Sequence, residues 1–364
     1  MTSADGAPRY AVAGLEAHVA DLFRAGGLDA EKAAVVAQVL VEADLMGHTT
    51  HGLQLAAPYL RALDDGSMTA DGEPEVVTDR GATVVWGGRR LPGTWLTVRA
   101  VDLAIERAAS HGVACVVVRD SHHIACLAVY LRRAAERGCM VMVASSDPSV
   151  VSVAPYGGTR PTFTPNPLGV GYPTDGDPVL IDVSASITTN GMVDRAEREG
   201  RRLPGKWLLD ASGHASDDPA VVRTDPPGSL LPIGGMDYGH KGFGLALMIE
   251  AMTQGLAGFG RAEPPRGWGA SVFVQVMDPA LFAGADAFAR ETGWMARACR
   301  ASPTVPGVDA VRMPGDRALA RRRRALAEGV ALYPGIIEAL RPFAERAGLA
   351  PPTPIVGAAA GPSA

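Results

Sequence analysis

No apolar run in this 364-residue sequence approaches the ~20 residues that a membrane-spanning helix requires, so no membrane span is expected. Cysteine is scarce. The four, Cys115, Cys126, Cys139 and Cys299, show no Cys-x-x-Cys spacing, and three lie among Val, Ala, Leu or Met, where a thiol behaves as a small apolar side chain. They are expected to be reduced and buried. Cationic excess is absent too: 34 basic against 39 acidic side chains give a formal charge of −5, too little positive charge to hold a phosphate backbone or an anionic bilayer. Neither nucleic acid nor a membrane is an expected partner, and the run Arg321 to Arg324 reads as a solvated helix face. The opening MTSADGAPRYAVAG has neither the basic start nor the apolar stretch of a secretory signal, which makes the cytoplasm the expected location. Two nucleotide signatures are also missing: G-x-G-x-x-G after a strand and G-x-x-x-x-G-K-[ST].

What is present is an alternation of helical and strand patterns. Residues 29 to 63 read as two helices broken by GHTTHG, with Gly47 ending the first and Thr49 or Thr50 capping the second, which puts His51 at or beside a helix start. A further helix is expected over WLTVRAVDLAIERAASHG. VACVVV (113 to 118) and CMVMVA (139 to 144) read as strands buried on both faces, and SHHIACLAVYLRRAAERG between them as a helix capped by Ser121. Strand, helix, strand implies a right-handed parallel crossover with the two strands as neighbours. GHKGFGLALMIEAMTQGLAG reads as a helix that follows a glycine-rich loop, and ASVFVQVMD as another strand.

Ligands collect beyond the carboxyl ends of parallel strands. The first such end carries His122 and His123, the next Asp147, so an imidazole and a carboxylate are expected to meet. A helix start disfavours imidazolium and a carboxylate favours it; together they suit acid/base work near neutral pH. His48-x-x-His51 is a weak metal pattern with no third ligand set by spacing. Lys241 and the glycines of GGMDYGHKGFG suit an anionic group. The residues taken alone reach an enzyme with His/Asp acid-base chemistry and a phosphate-bearing ligand.

Seven segments in register, among them EADLMGHTTHG, VVVRDSHHIACLAVYL, APYGGTRPTFTPNPLGVGYP, IDVSAS, GHKGFGLALMIE and VRMPGD, resemble the malate/L-lactate dehydrogenase family of the non-Rossmann type. The resemblance implies an α/β fold in which a large mixed sheet holds NAD or NADP and a helical domain is built from both chain ends, in a homodimer. It implies an oxidoreductase that moves a hydride between nicotinamide and a secondary alcohol or ketone, as in a 2-hydroxy acid and its 2-keto acid. By motif, His51 is the proton donor and acceptor, His123 a second active-site imidazole, and Asp147 a member of the adjoining catalytic segment. Asp182, Val183, Ser184, Ala185, Ser186, Ile187, Thr188, His240, Lys241, Gly315, Asp316 and Arg317 match segments that line the nucleotide. Thr50, Leu55, His122 and Arg160 fall in the substrate pocket. Here the family's carboxylate-clamping arginine is Leu55, which argues against a small 2-keto acid such as pyruvate.

The expected domains are a helical substrate domain (8–118 with 300–349), an NAD(P)-binding mixed-sheet domain (119–299) and a disordered tail (350–364). Two other readings stay open: a metal-dependent hydrolase or lyase using His48, His51, His123 and Asp147, and a non-catalytic nucleotide-binding paralogue. The leading reading requires no metal.

Overall fold

A computed structural model describes residues 8–265 and 267–355. In chain order, β1 (Arg9–Tyr10), α1 (Val12–Ala25), α2 (Ala30–Leu45) and α3 (Ala56–Asp64) come first. They are followed by β2 (Glu75–Asp79), β3 (Thr83–Gly87), α4 (Gly93–His111), β4 (Val113–Ser121), α5 (Leu127–Ala135) and β5 (Met140–Ser146). Next come β6 (Pro167–Tyr172), β7 (Val179–Ser184), α6 (Asn190–Arg198) and the short strands β8 (Leu208–Leu209), β9 (Ala215–Ser216) and β10 (Ser229–Leu230). The chain ends with α7 (Gly235–Glu250), β11 (Ala270–Met277), α8 (Ala285–Arg300), α9 (Asp316–Glu328), β12 (Val330–Ala331), α10 (Ile336–Ala347) and β13 (Pro354–Ile355). No helix of the described residues is long and apolar enough to cross a membrane.

Two compact units emerge, one from the described parts of 1–71 and 316–364, the other from 72–315. The boundaries differ from those expected at 118 and 300. Segment 72–118 belongs to the second unit because β2 and β3 pair into its sheet, β3 lying parallel to β4. The first unit is helical. Asp29 caps α2 by accepting the Lys32 N–H at 2.8 Å, and α2 buries residues around most of its circumference, Val36, Val39, Leu40 and Leu45 among them. Each such aliphatic side chain contributes about 1.5–3 kcal/mol on burial. A small sheet, β12-β1-β13, ties the two stretches of this unit together. Part of the expected tail is therefore ordered, since Pro354–Ile355 pairs with Arg9–Tyr10; residues 356–364 lie outside the described residues. Of the basic run on α9, Arg322 pairs with Glu42 at 2.6 Å and Arg324 with Glu328 at 2.8 Å.

The second unit is built on a seven-stranded mixed sheet, β2-β3-β4-β11-β5-β6-β7. Here the sequence expectation needs correction: β4 and β5 are not neighbours. β11 lies between them, antiparallel to both, because its run ASVFVQVM is apolar enough to occupy a central position covered on both faces. Phe273 of β11 stands in register with Val117 and Ala144, and the three join Ala246 and Ile249 of α7 in one buried cluster. The alternate residues Val116, Val118, Val272 and Val274, also buried, point to the opposite face. Cys126 and Cys139 are buried and Cys115 half-buried, and burial pushes all three thiols above their ordinary range. Cys299 is half-buried on α8.

Candidate active site

In the helical unit, His51 sits in a turn after α2, two residues ahead of a single 3₁₀ turn, Leu53–Leu55, that leads into α3. Gly47 supplies the left-handed conformation that ends α2 (φ 84°). The expected threonine cap is not made; instead Thr50 Oγ1 lies 2.8 Å from His51 Nδ1. What holds this loop is Asp44, a buried carboxylate in the last turn of α2 that accepts the Leu53 N–H at 2.7 Å. Gly52 makes that possible: a Cβ there would fall 2.4 Å from the Asp44 carboxylate. Leu55 is half-buried in the 3₁₀ turn, where the family resemblance would place an arginine.

In the sheet unit, β4 and β5 run the same way because each is antiparallel to β11, so their carboxyl ends flank its start. Ser121 pairs with Ala270, and Ser146 with Ser271. His122 and His123 are not at a helix start: β4 extends to Ser121, α5 begins only at Leu127, and the residues between form no regular structure, with Ala125 at a positive φ of 58°. Ser121 is thus no cap, and its hydroxyl donates to the His122 carbonyl at 2.8 Å. The N-terminus of α5 is served from β7 instead, where the Asp182 carboxylate accepts the Ala128 N–H at 3.0 Å.

The segment Gly267–Gly269 runs into β11 between the two strand ends, and its Trp268 meets both imidazoles. The indole stacks on His123, centroids 4.4 Å apart at 27°, and meets His122 edge-on at 5.2 Å. Arg90 donates to the Trp268 carbonyl at 3.0 Å and Ser149 Oγ to the Gly267 carbonyl at 2.7 Å. Asp147 does not bond a histidine. One of its carboxylate oxygens accepts the Ser149 N–H and hydroxyl at 2.8 and 2.7 Å, the other the Gly269 N–H at 3.2 Å. The histidine segment is further held to the start of α4, where a Cβ on Gly93 would lie 2.0 Å from the His122 carbonyl. Arg90 and Asp120 have positive φ (58° and 50°), strained backbone of the kind that collects at functional sites. Burial raises the Asp120 carboxyl above its ordinary range, against the opposing pull of Arg90 and Arg119.

His123 Nδ1 accepts the Ala125 N–H at 3.3 Å, which in the neutral ring assigns the proton to Nε2. The imidazole then presents a donor. Below it, a mostly buried polar group supports the Asp147 turn: Arg261 pairs with Glu250 at 3.1 Å and donates to Ser146 Oγ at 3.0 Å and the Val150 carbonyl at 2.6 Å. Glu250 also accepts from Ser146 Oγ at 2.8 Å and Asn166 Nδ2 at 2.9 Å, at the point where α7 passes into a π turn, Ala251–Gly255.

The expected nucleotide-lining segments divide. Ala185 to Thr188 and α7 lie side by side: the Ile233 N–H donates to the Ala185 carbonyl at 2.8 Å, the Ile187 N–H to the Leu231 carbonyl at 2.9 Å, and Gly242 packs against both strips. His240 and Lys241 are exposed. They lie within α7 rather than ahead of it, but Tyr238 leaves helical geometry (φ −124°), so they open the uninterrupted part of the helix. Gly315 (φ 98°) packs on Leu180, whose N–H donates to the Pro314 carbonyl at 3.0 Å; Asp316 and Arg317 begin α9 in the helical unit. Arg160 is exposed on the loop before β6, and none of the described hydrogen bonds links its side chain to the histidines. Sequence reasoning missed Trp268, Arg90 and Asp44. The only available hint for Trp268 was an aromatic residue between two glycines just ahead of a strand.

The chain is 31% identical over 343 residues to the L-lactate dehydrogenase of Cupriavidus necator, an alignment that covers 92% of this chain and 96% of that one. It is 32% identical over 337 residues, 89% of this chain and 92% of the other, to the Δ1-pyrroline-2-carboxylate/Δ1-piperideine-2-carboxylate reductase of Pseudomonas syringae pv. tomato. Its fold matches the crystal structure of malate dehydrogenase from Entamoeba histolytica with a TM-score of 0.90 at 24% identity, covering 95% of this chain and 100% of that one. The family model described as malate/L-lactate dehydrogenase matches residues 10–341, and the chain belongs to that family.

Proposed function

We propose that this oxidoreductase interconverts a 2-hydroxy acid and the corresponding 2-keto acid with NAD or NADP as hydride partner. The observation that carries the reading is His123, an imidazole just beyond the carboxyl end of β4 whose Ala125 contact assigns the proton of the neutral ring to Nε2, in a chain of this family. A bound nicotinamide would supply the hydride chemistry, as acceptor from the carbinol carbon in oxidation and donor to the carbonyl carbon in reduction. The residues present suit such a dinucleotide: Lys241 and His240 offer cationic and hydrogen-bonding groups for phosphate, beside the backbone strip Ala185–Thr188. His51, oriented through Thr50, takes the hydroxyl proton in oxidation and returns it in reduction. His123 donates to the substrate's oxygen. Asp147 acts on the reaction only by holding its turn and the Trp268 segment.

The metal-dependent alternative is not favoured, since the relatives are dehydrogenases and reductases. A cytoplasmic homodimer completes the proposal. The test is incubation of the purified protein with NADH or NADPH and a panel of 2-keto acids and cyclic imines, read as loss of reduced-nicotinamide absorbance. Thermal unfolding should also shift upward with the preferred nucleotide, by mass action. No turnover and no shift with either nucleotide would defeat the proposal.

A further inference from the structure

Resting on the dehydrogenase reading above, we propose that Trp268 determines substrate selectivity, favouring 2-keto acids whose side group is a flat aromatic ring. The indole is held before any ligand arrives. Three ties from two segments fix its backbone: Arg90 on the Trp268 carbonyl, and, from the Asp147 turn, Ser149 on the Gly267 carbonyl and Asp147 on the Gly269 N–H. Two imidazoles fix its ring, one stacked and one edge-on. A side chain immobilised in this way loses little further freedom when it packs on a substrate, so its contact contributes more fully to binding. Trp268 is nonetheless only half-buried. A substrate whose oxygen reaches His123 Nε2 brings its side group beside the indole, where a flat ring gains stacking contact that a methyl group cannot.

The experiment compares phenylpyruvate with pyruvate in the wild type, Trp268→Ala and Trp268→Phe, using whichever reduced nicotinamide the wild type prefers. Wild type should favour phenylpyruvate in kcat/KM. Trp268→Ala should lower the ratio of kcat/KM for phenylpyruvate to that for pyruvate by roughly ten- to a hundredfold, mainly through the KM for phenylpyruvate, over and above a loss of kcat common to both substrates because the ring also supports His123. Trp268→Phe, which keeps a ring on His123, should retain most of the preference and serves as the control for folding. Equal losses on both substrates in Trp268→Ala, or an unchanged preference, overturn the proposal while leaving the dehydrogenase reading in place. Absence of turnover on both substrates in the wild type, with no nucleotide-induced thermal shift, overturns both.

Discussion

The two imidazoles at the centre of the proposal are held in opposite ways. His51 depends on its own neighbourhood: Asp44, Gly47, Thr50 and Gly52 lie within a single stretch of the sequence, and all shape the loop directly. His123 depends on residues brought from far apart, Gly93 on one side and Trp268, tied by Arg90, Asp147 and Ser149, on the other. The difference separates a motif from a constellation. A motif carries its geometry with it, whereas a constellation exists only once the sheet is assembled.

The sharpest way to break the comparison is to delete each ring. His51→Ala and His123→Ala should each lower kcat by about 10²- to 10⁴-fold with nucleotide binding nearly intact, the larger loss falling on His51 if it alone carries the proton. Steady-state rates with calorimetric titration of the nucleotide would decide it, and wild-type turnover in either variant removes that residue from the mechanism. Next comes Gly52→Ala. The added methyl meets the Asp44 carboxylate, so the loop must shift, costing about 1–3 kcal/mol of stability. A displaced His51 should also lose about 10²-fold in kcat. A melting curve and rates like wild type would show that the loop is not held as described.

How much of this was legible follows the same division. The Asp29 cap, the stop at Gly47 and the buried strands around VACVVV and CMVMVA were visible because each depends on residues a few positions apart. The insertion of β11 between β4 and β5 was not, since the default crossover makes sequential strands neighbours and Ala270 lies more than a hundred residues beyond either. The same blindness misassigned Ser121 as a cap, when Asp182 of β7 serves α5 instead. It also gave Asp147 to a histidine when its partners are Ser149 and Gly269. Of the site itself, the histidines were found by motif, and the aromatic wall beside them was not.

Two smaller effects sharpen the comparison further. Leu55→Arg should restore a two-pronged carboxylate grip and raise kcat/KM for small 2-keto acids by roughly tenfold or more, while lowering it for the native substrate. An unchanged rate with pyruvate would mean that the arginine's role is filled elsewhere. The smallest expected effect is at Asp120. Burial raises this carboxyl, so its contribution to stability is present below the ordinary carboxylate range and is lost as pH rises through the raised value. Asp120→Asn stays neutral throughout and should raise Tm modestly near neutral pH but not in acid. Equal shifts at both pH values would assign the effect to packing.

The small sheet β12-β1-β13 also has a consequence for how the chain is made. Residues 72–315 form a continuous stretch and can begin to collapse while the ribosome is still working. The helical unit cannot be completed then: Arg9 and Tyr10 must wait for Val330 and Ala331, and again for Pro354 and Ile355, which are synthesised more than three hundred residues later. Until those strands arrive, α1 and α2 lack the partners supplied by α10 and α9, with apolar faces to shield. Helices α1 and α2, translated before the sheet unit, thus reach their final contacts after it has been made, which makes them the part of the newborn protein most dependent on being kept from its neighbours.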